Sequence, residues 1–267
     1  MIDEFDFDGY YTDGFCQVSP CQNQGHGCGY VDGDGNLHST WPVFAVRETN
    51  KRMYRVAKSK KPDGVVVNHN SFNLMLPTMS FSDVLYVGEH EDYENALTAR
   101  FRLSSRPWGL YITTLGSSMH EYSPLHMMAS LLNGTSVWGH GIFGRNDMGR
   151  KFHAIISAYQ KFNTQTASWV PYHKGAEIFY QVSDPKVLVS LYYHAGKDVL
   201  LLAGNYNKEV WQNTIQLKLE KMGLEGKALK ATNVLTEEDL KISADGHLSV
   251  KINPKSFLLI RLDVKGN

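Results

Sequence analysis

The sequence lacks a net charge: 27 lysines and arginines are balanced by 27 aspartates and glutamates over 267 residues. The balance holds locally, with 14 basic and 16 acidic residues through Val170 and 13 and 11 beyond it. No basic field exists to draw in a polyanion, so nucleic acid is not an expected partner. Long apolar runs are missing as well. Stretches such as Val199 to Ala203 fall far short of a membrane span. The residues after Met1 are acidic and aromatic, Ile-Asp-Glu-Phe-Asp-Phe-Asp, with neither the basic nor the apolar segment of a secretory leader. A soluble chain without a membrane partner is expected. Cysteine is scarce: three residues, at 16, 21 and 28, and none afterwards. An odd count permits at most one intrachain pair and leaves the redox compartment open.

What is present is an ordinary globular composition, 42% hydrophobic and 12% aromatic. A chain of this size buries about three-quarters of its unfolded surface, so no metal, cofactor or disulfide is required to hold a core.

The patterning changes near position 170. Before it, β-rich runs at Asp8 to Asp13, Gly64 to Asn70, Asp83 to His90, Gly109 to Ser117 and Ser136 to Ile142 alternate with helical patterns. Pro42 to Lys58 carries apolar residues at 43, 46, 53 and 57 on one face. Ser123 followed by Pro124 reads as an N-cap with proline at the first helical position. Met148, Phe152, Ile155, Ile156, Tyr159 and Phe162 make the clearest 3.6-residue period. About five strand–helix units predict a parallel sheet. A closed eight-unit barrel needs about 200 residues or more, so the reading is a partial (β/α)8 TIM-type barrel over residues 1–168. Past Val170 the helical period vanishes. Six β-patterned runs (177–183, 187–193, 199–205, 213–219, 248–252 and 256–264), separated by turn signals such as Asp184-Pro185 and Asn253-Pro254, predict an all-β antiparallel sandwich over 169–267.

In a parallel sheet, chemistry gathers at the carboxyl ends of the strands. Those ends carry Asp13, His69, Asn70, Glu89, His90, Trp138 and His140. Carboxylates there can serve as acid, base or nucleophile, and tryptophan faces stack on sugar rings. Asp13 and Glu89 are the candidate catalytic pair. His26, His69, Asn70, His90 and His140 are candidate substrate hydrogen-bond partners, with Trp108 or Trp138 as stacking platforms. The loop Cys16-x4-Cys21-x4-His26-x-Cys28 admits three readings: tetrahedral zinc, a Cys21–Cys28 disulfide, or free buried thiols. It leaves the first strand directly after Asp13, so a structural loop over the strand ends is expected.

The run DGYYTDG, then CQNQGHGCGYVDGDGNLHSTWPVFAVRETNKRMYRVAKSKKPDGVVVNHNS, then SFSDVLYVGEH resembles bacterial glycoside-hydrolase-like proteins related to family 123. The motifs carrying the likeness are Asp13-Gly14, Cys21-x-Asn23, His26-Gly27-Cys28-Gly29, Arg47-Glu48, Lys51-Arg52, His69 and Gly88-Glu89. The resemblance implies the C-terminal part of a larger TIM-barrel glycosidase acting on O-glycosidic bonds of a poly- or oligosaccharide. It also implies export, to the periplasm or outside the cell, if a leader lies in a preceding segment. Family 123 hydrolases use an adjacent Asp-Glu pair with help from the substrate's acetamido group. The only such pair in the barrel part, Asp3-Glu4, precedes the first strand and is not carried over. The alternative from another class is a non-catalytic carbohydrate-binding remnant of such an enzyme, and a third is a zinc-dependent hydrolase using the cysteine loop.

Overall fold

A computed structural model describes residues 2–14, 16–70, 75–87, 93–95, 100, 103, 110–115, 117–118, 121–138 and 147–265. The chain forms two compact units: Met1–Glu91 with Ser104–Thr114, and Asp92–Leu103 with Leu115–Asn267.

In the first unit, strands Gly9–Thr12, Val65–His69, Val84–Val87 and Tyr111–Leu115 lie side by side in that order, every pair parallel. Parallel neighbours need a crossover. Helix Val43–Lys60 supplies the first and the short helix Leu76–Met79 lies on the second. Gly9 is required by the close approach of the second strand: a Cβ there would sit 1.9 Å from the Val65 carbonyl oxygen.

Side chains alternate across the sheet. Thr12, Val66, Asn68, Leu85 and Ile112 share one face and are all buried. Tyr11, Val65 and Tyr111 share the other face and are 50%, 46% and 58% exposed. His69, Tyr86 and Thr113 also lie on this second face and are buried, so it is covered in part, by residues contributed from several strands.

The helix Val43–Lys60 covers its expected face, with Val43, Val46 and Met53 half-buried and Ala57 buried. Its fully buried residues are Asn50 and Ala57, while Phe44 and Val56 face solvent. Asn50 Nδ2 donates to the Thr78 carbonyl at 2.8 Å and to Cys16 Sγ at 3.6 Å, so a polar contact joins that apolar stripe in holding the helix. Lys58 pairs with Asp83 at 2.8 Å, and Asp83 also accepts from the Val66 N–H at 2.8 Å.

The second unit contains a six-stranded sheet ordered Ser168–Val170, Val187–His194, Asp198–Asn205, Ser256–Val264, Leu229–Asn233 and Asp239–Leu240. A three-stranded sheet orders Tyr180–Gln181, Trp211–Leu217 and His247–Ile252, and all these pairings are antiparallel. Val189, Leu191, Leu201, Ile215, Leu248, Val250 and Ile260 form the core of the sandwich. The opposite side chains of the six-stranded sheet, Tyr192, Leu200, Leu202, Phe257 and Leu259, pack with Met127, Met128, Leu131, Phe152, Ile155 and Phe162. These last belong to helices Pro124–Leu132 and Asp147–Phe162. The strand Asp198–Asn205 is therefore buried along its whole length. Gly204 permits the close helix contact, because a Cβ there would meet Met128 Sδ at 2.7 Å and Leu132 Cδ1 at 2.9 Å. The N-cap at Ser123 forms as expected, its hydroxyl accepting from the His126 N–H with Pro124 following. After Glu177 the only helical turn among the described residues is the short 3-10 segment Leu219–Met222. No described helix is long and apolar enough to cross a membrane.

Candidate functional site

The register of the first two strands, with Thr12 opposite Asn68, carries Asp13 alongside His69 as both strands end. Asp13 Oδ1 lies 2.9 Å from His69 Nδ1. The imidazole is buried while the Asp13 side chain is 76% exposed, so a solvent-facing carboxylate is backed by a ring fixed from below. Tyr11, two residues before Asp13 and on the same side of the strand, brings its hydroxyl to 3.0 Å from the same Nδ1. Tyr86, opposite His69 on the next strand, sets its ring 5.0 Å from the imidazole.

One nitrogen facing two oxygens makes a choice of proton positions. With a proton on Nδ1, the ring donates to the Asp13 carboxylate, the stronger acceptor. With the proton on the other nitrogen, Nδ1 accepts from the Tyr11 hydroxyl and Asp13 loses its donor. The trio can thus offer an incoming hydroxyl group either an acceptor held in place or a carboxylate free to turn.

The support beneath is polar and closed. Thr12 Oγ1 donates to Asn68 Oδ1, and Asn68 Nδ2 donates to Ser82 Oγ at 2.6 Å. Asn70 is buried, and its backbone N–H donates to the Tyr86 carbonyl at 2.8 Å. These bonds tie the strand ends together and leave little freedom under the Asp13–His69 pair.

Of the residues expected from sequence, Asp13, His69 and Asn70 come together at adjoining strand ends. His26 is grouped instead with the cysteine loop, its Nε2 3.2 Å from Cys21 Sγ. Glu89, His90, Trp108 and His140 lie outside the described residues, as does the side chain of Trp138 on the strand Ser136–Trp138. Tyr11 was missed. Its signal is the two-residue period, which puts Tyr11 and Asp13 on one side.

The three cysteines divide into two kinds, all of them free thiols. Cys16 is fully buried, with Sγ 3.6 Å from the Thr78 carbonyl, and Thr78 Oγ1 donates back to the Cys16 carbonyl at 2.9 Å. Burial pushes its pKa up to about 11. Cys21 and Cys28 gather instead with His26, and the half-buried Cys21 departs from the reading of a uniformly buried set. The Cys21–Cys28 disulfide considered from the sequence is not formed.

No protein-family model and no curated protein matches the sequence. In fold, the chain is similar to solved glycoside hydrolases. An Anoxybacillus α-amylase aligns over 100% of this chain and 61% of its own, at 11% identity and a TM-score of 0.55. An α-galactosidase I from Mortierella vinacea aligns over 95% of this chain and 76% of its own, at 8% identity and 0.56. A family 27 β-L-arabinopyranosidase from Geobacillus stearothermophilus aligns over 96% and 74%, at 9% and 0.53. The chain spans about three-fifths of the amylase's length. At these identities the likeness establishes the fold: a partial (β/α)-barrel followed by an antiparallel β-sandwich, as in glycoside hydrolases acting on carbohydrates. It extends to several hydrolase families and is not specific to family 123.

Proposed function

We propose that the protein belongs to a glycosidase that hydrolyses O-glycosidic bonds of an oligo- or polysaccharide, with kinship to the family 123 group. In this reading residues 1–168 are the barrel part and 169–267 the accessory sandwich. The observation that carries it is the Asp13–His69 pair, an exposed carboxylate on a buried imidazole at the carboxyl ends of neighbouring parallel strands. Asp13 and Glu89 act as the carboxylate pair. His69, Asn70, His90 and His140 hold sugar hydroxyls, and Trp108 or Trp138 stacks on a ring. The exposure of Tyr11, Val65 and Tyr111 on a sheet face where His69, Tyr86 and Thr113 are buried supports a barrel closed by further strands.

The test is turnover by the active protein on a panel of glycans. Asp13→Asn and Glu89→Gln should each lower kcat on an accepted glycan by about a hundredfold or more, the contribution of a positioned acid or base. Wild-type turnover in both variants would overturn the assignment. Retained glycan binding with no turnover in the wild type would favour the carbohydrate-binding alternative.

A further inference from the structure

We infer that Cys21, His26 and Cys28 form a binding site for a zinc-class divalent ion, independent of the Asp13–His69 pair. One ligand atom from each residue lies within 4.8 Å of the others, and Cys21 Sγ is 3.2 Å from His26 Nε2. Two thiolates and an imidazole are the donors that zinc prefers. Bond lengths of about 2.3 Å to sulfur and 2.0–2.1 Å to nitrogen put tetrahedral neighbours ~3.5–3.8 Å apart. The atoms observed bracket that spacing, so side-chain torsions alone can bring them onto one ion.

The backbone is built to hold this geometry. Cys21 and Thr40 exchange both backbone hydrogen bonds, at 2.9 and 3.0 Å. The Asn23 side chain accepts from the Gly25 N–H, and the Asn23 carbonyl accepts from the Cys28 N–H at 3.1 Å, closing the loop between the ligands. Gly27, between His26 and Cys28, takes the left-handed conformation at φ +82°, where a side chain would be strained. The Asn23 N–H points at Cys21 Sγ from 3.5 Å, a contact that strengthens as the sulfur gains negative charge.

Coordination is balanced by proton loss: each thiol releases its proton to water as its sulfur bonds the metal. The fourth position faces solvent, since His26 is exposed, and is filled by water. Cys16, bonded to Thr78, is no part of the set. The ion's role is to clamp the loop that follows Asp13, and ligation takes His26 out of the sugar-binding roles expected from sequence.

The experiment uses the full chain, reduced and freed of metal, titrated with Zn2+ against a chromophoric chelator and separately with Co2+. The expected result is one ion per chain, with a thiolate-to-cobalt charge-transfer band in the near ultraviolet and tetrahedral d–d bands in the red. Cys21→Ser and Cys28→Ser should abolish the charge-transfer band or cut affinity at least a hundredfold, and His26→Ala at least tenfold. Cys16→Ser should retain both ion and band. Circular dichroism of each variant separates ligand loss from misfolding, and thermal protection by Zn2+ in wild type but not in Cys28→Ser gives a second readout. No band in wild type with three titratable thiols would overturn the proposal. So would a band that depends on Cys16 but survives Cys28→Ser.

Discussion

Asp13 Oδ1 and Tyr11 Oη stand 2.9 and 3.0 Å from the same atom, His69 Nδ1, so the carboxylate and the phenol compete for one ring nitrogen. Groups sharing a proton in this way act as a unit, and their deletions do not add.

Turnover should reveal that unit. His69→Phe keeps the ring between Tyr11 and Tyr86 but removes the hydrogen bond to Asp13, and should lower kcat on an accepted glycan about tenfold. The double variant Asp13→Asn/His69→Phe should be no slower than Asp13→Asn alone. Multiplying effects would show that the two residues act separately.

Thiol chemistry should sort the cysteines. With its pKa pushed up to about 11 by burial, Cys16 holds very little thiolate at neutral pH. Cys21, half-buried, should be alkylated first in the native, metal-free protein, and Cys16 only on unfolding. Peptide mass spectrometry after timed iodoacetamide labelling reads the order, and early modification of Cys16 would contradict its burial.

The second unit should weaken in mild acid. His126 sits on the helix Pro124–Leu132 with its ring 4.2 Å from that of Tyr93, and burial lowers its pKa from the ordinary 6.5. A histidine with a lower pKa folded than unfolded contributes stability that is complete above about pH 6.5 and is lost as pH falls through the folded value. His173 is shifted in the same direction, by burial and then by Arg100 and Lys174. Urea midpoints should therefore fall below pH 6.5, with a shallower slope in His126→Phe and a residual slope from His173. An unchanged slope would show that His126 does not drive it.

Gly204→Ala should cost about 1–3 kcal/mol, the usual range for overpacking a filled core. The new methyl group would meet Met128 Sδ and Leu132 Cδ1, each inside 3.0 Å. The urea midpoint should drop at constant m-value, and Met128→Ala should cost less in the Gly204→Ala background than in the wild type.

The legible parts of the sequence were those with a period. Val187–His194 and Ser256–Val264 lay within a residue of their expected ends because strand side chains alternate between two cores. Leu229–Asn233 escaped notice: Leu-Lys-Ala-Thr-Asn buries only Ala231 and Asn233 and carries too few apolar residues to register. The contact of Asn50 with Cys16 was also illegible, since a polar residue on a helix gives no sign of being buried until its partner is known. At the site, strand ends located Asp13 and His69 separately. Their meeting depends on the register Thr12 to Asn68, which no single-strand pattern encodes.

The burial of Asp198–Asn205 on both faces has a consequence for how this sequence can vary. A strand covered on one side alternates constrained and free positions, and half its residues can drift without disturbing a core. Here all eight successive positions are buried: Val199, Leu201 and Ala203 in the sandwich core, Leu200, Leu202 and Gly204 against the helices, and Asp198 and Asn205 in hydrogen bonds at the two ends. None is spare. A substitution scan along the chain should find a continuous block of intolerance here, whereas Leu229–Asn233, two strands away in the same sheet, should show intolerance at every second residue.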